Sequence, residues 1–345
     1  MKNKVTMRDV AKFAGVSVAT VSYVLNGVNR VSAETKSRVL EAIDTLGYAP
    51  DFTAISLSKK TSKLIGVMIP VLDGSISPMF YENPYYSEFI RGLEYTCREN
   101  GYDLIISGIG KPEDCKRWIT KRNIDGLVFL GLFSDHLYEE LKTLSVPMVL
   151  IDSYEEFAKF YHTIRIEDEQ GGYLATKYLI DQGHQQIAYV SSGLSNNPVD
   201  HNRFLGYQKA LLQHDLVVDK NLLFECSEGI SLESGYQIGQ TILQNKEVPT
   251  ALFVAADILA LGIIKSMKEQ QKEVPRDYSI VGFDNLNLSQ YMMPSLTTIS
   301  QNIFQKGVCS GRTLIEALEG EIGPPKKVTL AVELIIREST RSIRN

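Results

Sequence analysis

The chain has 345 residues, of which 44% are apolar and 22% charged. This is the balance of a globular protein; it excludes wholesale disorder and, at ~150 residues per domain, allows two or three cores. The net charge of −5 conceals an asymmetry, because ten Lys/Arg against five Asp/Glu make residues 1–63 +5 and leave −10 on the rest. A small basic head on a large acidic body is the arrangement of a polyanion-binding module joined to a part that need not touch the polyanion. The best apolar run, residues 64–72, contains Pro70 and spans nine positions, against the ~18 that a bilayer crossing needs, so no membrane contact is expected. The basic opening Met1-Lys2-Asn3-Lys4 leads into no apolar segment, which predicts a cytoplasmic chain rather than a secreted one. Cys97, Cys115, Cys226 and Cys309 lie far apart, and the five histidines show no ligand spacing. Neither a disulfide framework nor a metal site is expected. Without a nucleophile elbow, P-loop, HExxH or complete dinucleotide fingerprint, no cofactor and no enzymatic activity are expected.

In chain order, Thr6 reads as a helix N-cap, with Asp9 completing a capping box and Val10, Phe13 and Ala14 at helical spacing up to Gly15. Ser17 caps a second helix, 18–25, that turns Val21, Val24 and Leu25 inward and ends at Asn26-Gly27. Ser32 caps a third, with Val39, Leu40, Ile43 and Leu46 as its inner stripe and Gly47 as its stop. Two short helices joined by a glycine turn, with a third behind them, can lay the second helix in a major groove. The small hydrogen-bonding side chains Ser17, Thr20, Ser22 and Asn26 suit a polar surface better than a core. Residues 51–63 form the hinge. Its first turns, opened by Asp51, are far shorter than the ~12–15 residues a free helix needs, so they are expected to order only on DNA.

From residue 64 the chain alternates strands, at 64–69, 103–107, 126–131, 147–151, 186–191, 250–254 and 278–282, with helices such as 86–99, 170–183, 203–214 and 259–271. Repeated strand–helix units predict parallel sheets covered on both faces, and 282 residues are too many for one sheet, so two lobes are expected. Ligands of such sheets bind beyond the strand C-termini.

The run Met7-Arg8-Asp9-Val10-Ala11-Lys12-Phe13-Ala14-Gly15-Val16-Ser17-Val18-Ala19-Thr20-Val21-Ser22-Tyr23-Val24-Leu25-Asn26 resembles the DNA-binding head of the lactose/galactose-repressor (LacI/GalR) family of bacterial transcriptional regulators. The likeness continues through Val31-Ser32-Ala33-Glu34-Thr35 and Leu46-Gly47-Tyr48-Ala49-Pro50 into the body, at Gly206-Tyr207 and Val281-Gly282-Phe283-Asp284-Asn285 among others. It implies an all-α helix-turn-helix head on an α/β body with two-lobed, type-I periplasmic-binding-protein-like Rossmannoid sheets, the chain crossing between lobes three times. The implied domains are 1–50 (head), 51–63 (hinge helix and linker), 64–165 with 301–328 (N-terminal lobe) and 166–300 with 329–341 (C-terminal lobe).

By the same resemblance, Val18, Ala19 and Tyr23 face base edges. Ser17, Thr20, Ser22, Asn26 and Tyr48 hold phosphates, Thr6 and Ala54 belong to the DNA-contacting set, and Leu57 wedges open a base step in the minor groove. Tyr23 departs from the family's usual arginine, so the operator is expected to differ at that step. In the body, Arg203 and Asp284 are expected to grip vicinal hydroxyls, Tyr85 and Tyr86 to stack on the ligand, and Asp152 and His201 to touch it. Asp257 is expected to cap the helix after it, and the loop 71–83, with Met79, Phe80 and Tyr81, to act as a lid or extra wall. The implied function is a homodimeric, ligand-responsive repressor of carbohydrate-utilisation genes, reading a pseudo-palindromic double-stranded DNA operator, with a sugar or sugar derivative as effector. The alternatives are a carbon-catabolite regulator with a phosphoprotein corepressor and a solute-binding protein without DNA function.

Overall fold

The computed structural model describes all residues except 1–4, 26–29, 49–60, 73–74, 77–78, 154–158, 195–196, 227–228, 324 and 345. Asn26, Ala54, Leu57 and most of the hinge lie outside the described residues. The chain divides into two compact units, Met1–Ser62 and Lys63–Asn345.

The first unit holds α1 (Met7–Ala14), α2 (Val18–Leu25) and α3 (Ala33–Leu46). The capping box forms: the Thr6 amide donates to Asp9 Oδ2 at 2.8 Å and the Asp9 amide donates back to Thr6 Oγ1 at 3.4 Å. Gly15 takes the left-handed conformation (φ 62°) that turns α1 into α2. Val10, Ala14, Val21, Val24, Val39, Ala42 and Tyr48 close the core. Two expected core residues stand outside it, Phe13 at 58% and Leu40 at 46% exposure. Phe13 lies about 105° and Leu40 about 130° around the helix from the centre of the buried stripe, set by Val10/Ala11/Ala14 in α1 and Val39/Ala42 in α3.

In the second unit, the first sheet comprises β1 (Leu64–Leu72), β2 (Ser75–Ile76), β3 (Asp103–Ile109), β4 (Gly126–Leu130), β5 (Met148–Ile151), β6 (His162–Ile166) and β12 (Lys327–Leu330). All its pairings are parallel except the β1–β2 hairpin. The second comprises β7 (Ile187–Ser191), β8 (Leu223–Glu225), β9 (Ala251–Val254), β10 (Ser279–Asp284), β11 (Thr297–Ser300) and β13 (Glu333–Ile335), in the order β13-β11-β10-β9-β7-β8 with only β13 antiparallel. The strands β4, β5, β7, β9 and β10 are buried at every position, which is why they read as continuous apolar runs.

The helices are α4 (Met79–Glu82), α5 (Pro84–Glu99), α6 (Pro112–Arg122), α7 (Asp135–Leu141), α8 (Asp168–Asp181), α9 (Pro198–Leu212), α10 (Leu232–Gln244), α11 (Asp257–Glu269) and α12 (Ile303–Leu318). The chain passes between the sheets three times, from β6 to α8, from β11 to α12 and from β12 to β13. At the first passage α8 packs on α9 with backbones nearly touching: a Cβ on Gly172 would sit 2.0 Å from the Arg203 carbonyl oxygen, and one on Gly206 2.0 Å from that of Glu169. That contact fixes where the base of Arg203 lies. Helix α9 begins at Pro198, five residues before the expected start. Asn197 caps it, accepting from the Val199 amide at 3.0 Å, and Pro198 occupies the first turn, where its missing N–H costs nothing.

Candidate functional site

Two surfaces carry the predicted residues. On the head, α2 buries Val21 and Val24 and leaves Val18 (41% exposed), Ala19 and Tyr23 (39%) open on its other face. Ser17 accepts from the Thr20 amide at 3.1 Å and shares a 2.9 Å hydroxyl contact with Thr20, so both hydroxyls sit at the helix N-terminus, where backbone N–H groups favour an anion. Ser22 is half-buried beside them. Tyr48 is 9% exposed and belongs to the core as much as to the surface.

In the body, the strand ends of both sheets meet at a cavity of about 650 Å³, within the ~300–1,000 Å³ range of small-molecule sites. Tyr85, Tyr86, Asp152, Arg203 and Asp284 all line it. His201 does not: it is exposed, because on α9 the inward positions are Asp200 and Arg203, three apart, and residue 201 is turned 100° away. Phe80 packs edge-on against Tyr86 with centroids 5.9 Å apart, behind the lining rather than in it.

Arg203 is held on three sides. Nε donates to Asp168 Oδ1 at 2.8 Å, Nη1 donates to the Ala255 carbonyl at 2.5 Å, and the guanidinium lies 3.6 Å above the Phe283 ring centre. With five donors in a fixed fork, it retains Nη2 for a ligand. Burial lifts the Asp168 carboxyl to about 6 against the pull of Arg203. Asp284 ends β10 at φ 114°, a strained conformation for a side-chain-bearing residue. Its Oδ1 accepts from Gln301 Nε2 at 2.5 Å, and burial pushes its carboxyl up to about 8 despite Arg203. Asp152 follows β5, also at positive φ (53°). Its Oδ2 accepts from Lys306 Nζ at 2.6 Å and from the Tyr85 hydroxyl at 3.2 Å.

Lys306 escaped the sequence reading, as did Gln301. A lysine on the packed face of α12 shows only as an interruption of the apolar stripe, and its partners lie at the far ends of other strands. Lys306 is fully buried and also donates to Gln301 Oε1 at 3.0 Å. Asp257 is another correction. Its side chain makes no helix cap; it reaches across to accept from the Leu286 amide (2.9 Å), Ser289 Oγ (2.6 Å) and Thr298 Oγ1 (2.6 Å). The residue therefore braces the loop that follows Asp284. A Cβ on Gly282 would come within 2.2 Å of Asp257 Oδ1, so only glycine admits the carboxylate there.

Residues 6–51 match the model of the bacterial regulatory proteins of the lacI family, and residues 176–340 match the periplasmic binding protein-like domain. The HTH-type transcriptional repressor PurR of Histophilus somni is 34% identical over 346 residues, covering 98% of this chain and 99% of that protein. Among solved structures, the lac repressor dimer bound to operator and the anti-inducer ONPF is 29% identical with a TM-score of 0.85, covering 98% of this chain and 100% of that one. A LacI family transcriptional regulator from Enterococcus faecium with bound ribose is also 29% identical, with a TM-score of 0.70 and coverage of 81% and 100%. The chain belongs to the LacI family: it is a DNA-binding transcriptional regulator built from a helix-turn-helix head and a two-lobed effector-binding body, not an enzyme.

Proposed function

We propose that this protein is a cytoplasmic, nucleoid-associated repressor that binds a pseudo-palindromic operator as a homodimer and responds to a sugar-type effector held between its lobes. The observation that carries this reading is the convergence, in one cavity, of a restrained arginine, a strand-end carboxyl and two tyrosines contributed by both sheets. A guanidinium fork beside a carboxyl suits vicinal hydroxyls, and an aromatic ring covers the apolar face of a pyranose. The ribose-bound relative from Enterococcus faecium supports the same ligand class. Val18, Ala19 and Tyr23 read base edges; Thr6, Ser17, Thr20, Ser22, Asn26 and Tyr48 fix the head on phosphates; Ala54 and Leu57 act in the minor groove. The lobes are drawn at 64–165 with 301–328 and 166–300 with 329–341, although the strands of the first sheet run slightly past these bounds, β6 to Ile166 and β12 to Leu330.

Mechanistically, the effector biases the angle between the lobes, and that angle sets the spacing of the two hinges. A coupling of ~1–3 kcal/mol changes operator affinity 5–150-fold. The test is operator selection with the purified protein, followed by titration of the selected duplex with and without a panel of sugars. A palindrome preferred over random DNA, with affinity shifted by at least one sugar, is expected. Indifference to both DNA sequence and sugars would overturn the reading.

A further inference from the structure

The cavity is unbalanced in charge. Asp152, Asp200 and Glu225 line it together with Asp284, whose carboxyl burial holds toward its protonated form, and Arg203 is the one basic side chain among its described lining residues. Lys306, the next cation, is fully buried behind the wall and bonded to Asp152 and Gln301.

The imbalance extends to hydrogen bonding, because most of the wall's donors are turned on the wall's own acceptors. The Tyr85 hydroxyl donates to Asp152, the Ser192 hydroxyl to Asp200 (2.5 Å), the Asn197 amide to Ser192 Oγ (2.9 Å) and the Gln301 amide to Asp284. Arg203 donates to Asp168 and to the Ala255 carbonyl. Acceptors are left over. Asp152 Oδ1 is buried without a hydrogen-bond partner among the described residues. Glu225, exposed at its strand end, is bonded there at Oε2 only, by the Leu194 amide at 3.0 Å. A buried acceptor left unpaired costs ~1–3 kcal/mol, so the molecule that fills this cavity gains most by bringing donors. A further negative charge would face carboxylates that the wall's own cations do not balance, in a site where water screens little. Burial has already driven the Asp284 carboxyl upward, the same penalty that an incoming anion would meet.

Resting on the reading of this cavity as the effector site, we propose that it selects ligands rich in hydrogen-bond donors and free of negative charge, namely uncharged or amino-bearing sugars, and rejects their phosphorylated and carboxylated counterparts. The full-length protein would be titrated calorimetrically with matched sets: glucose, glucosamine, glucose 6-phosphate and glucuronate, and cellobiose, maltose and lactose with their 6-phosphates. Within any set that binds, the uncharged or amino member is expected to bind tighter than its anionic partner by on the order of thirtyfold or more. Glu225→Gln, at an exposed strand end where folding tolerates the change, is expected to shrink that ratio several-fold. An anionic member that binds as tightly as its uncharged parent overturns the charge selection while leaving the sugar reading intact. Binding by no member of any set overturns the sugar reading and the selection with it.

Discussion

Lys306 Nζ lies 2.6 Å from Asp152 Oδ2, joining helix α12 to the end of strand β5 with the lysine side chain 1% and the aspartate side chain 18% exposed. The same ammonium donates to Gln301, and Gln301 donates to Asp284 at the end of β10. One chain of hydrogen bonds therefore runs from the first sheet through the β11–α12 passage to the second sheet, touching the cavity at Asp152, Gln301 and Asp284.

Lys306→Met leaves Asp152 buried without its cation. Removing one partner of a buried pair costs ~3–5 kcal/mol, whereas replacing both is far milder. Urea unfolding followed by Trp118 fluorescence is expected to show a loss of that size for Lys306→Met and recovery of most of it in the double variant with Asp152→Asn. Equal losses in the two proteins would show that the pairing itself is not what stabilises the junction.

Arg203→Lys keeps the charge but not the fork, and a lysine cannot reach Asp168, the Ala255 carbonyl and a ligand together. Effector affinity is expected to fall by on the order of a hundredfold, two charge-assisted hydrogen bonds' worth. Operator affinity in the absence of effector should stay within a few-fold. Retention of the full effector response would remove Arg203 from the site.

Asp284 carries a pH signature. Its carboxyl titrates at about 8 in the folded protein and near 3.9 when unfolded. The folded state therefore holds an extra proton between those values, so this group's contribution to stability falls as pH rises through that window. Asp284→Asn removes the titration. Its stability relative to the parent is expected to climb between pH 5 and pH 8 by more than about 1 kcal/mol, read from denaturant unfolding at each pH. A difference independent of pH would place the Asp284 titration elsewhere.

Tyr23 stands exposed on α2 beside Val18 and Ala19. Tyrosine offers one hydroxyl and a flat ring, whereas arginine can bond guanine O6 and N7 together, a difference worth ~1–3 kcal/mol at that base pair. Tyr23→Arg is expected to move the selected operator toward guanine at one symmetric step. The same selected motif from both proteins would mean that residue 23 faces away from the bases.

Local chemistry made the head readable. Thr6, Gly15, Ser17, Ser32 and Gly47 mark caps and stops within a few residues of where they act, and each acts there. The buried strands announced themselves because both faces are covered, so no polar alternation interrupts them. The strands missed, β2, β6, β8, β11, β12 and β13, are short or carry threonine, arginine, lysine and glutamate. Their pairing is decided by neighbours far away in the chain.

The ends of the long strands were legible too, and with them Asp152 and Asp284, because an apolar run stopping at a carboxyl is visible in the sequence. What only the tertiary structure decided is which groups these carboxyls answer to. Lys306 reaches Asp152 from 154 residues away and Gln301 reaches Asp284 from 17, through passages between the sheets that no local pattern encodes. Propensity and periodicity act over a turn or two of chain, whereas the pairing of buried charges is enforced by the cost of leaving any of them alone in a low-dielectric interior.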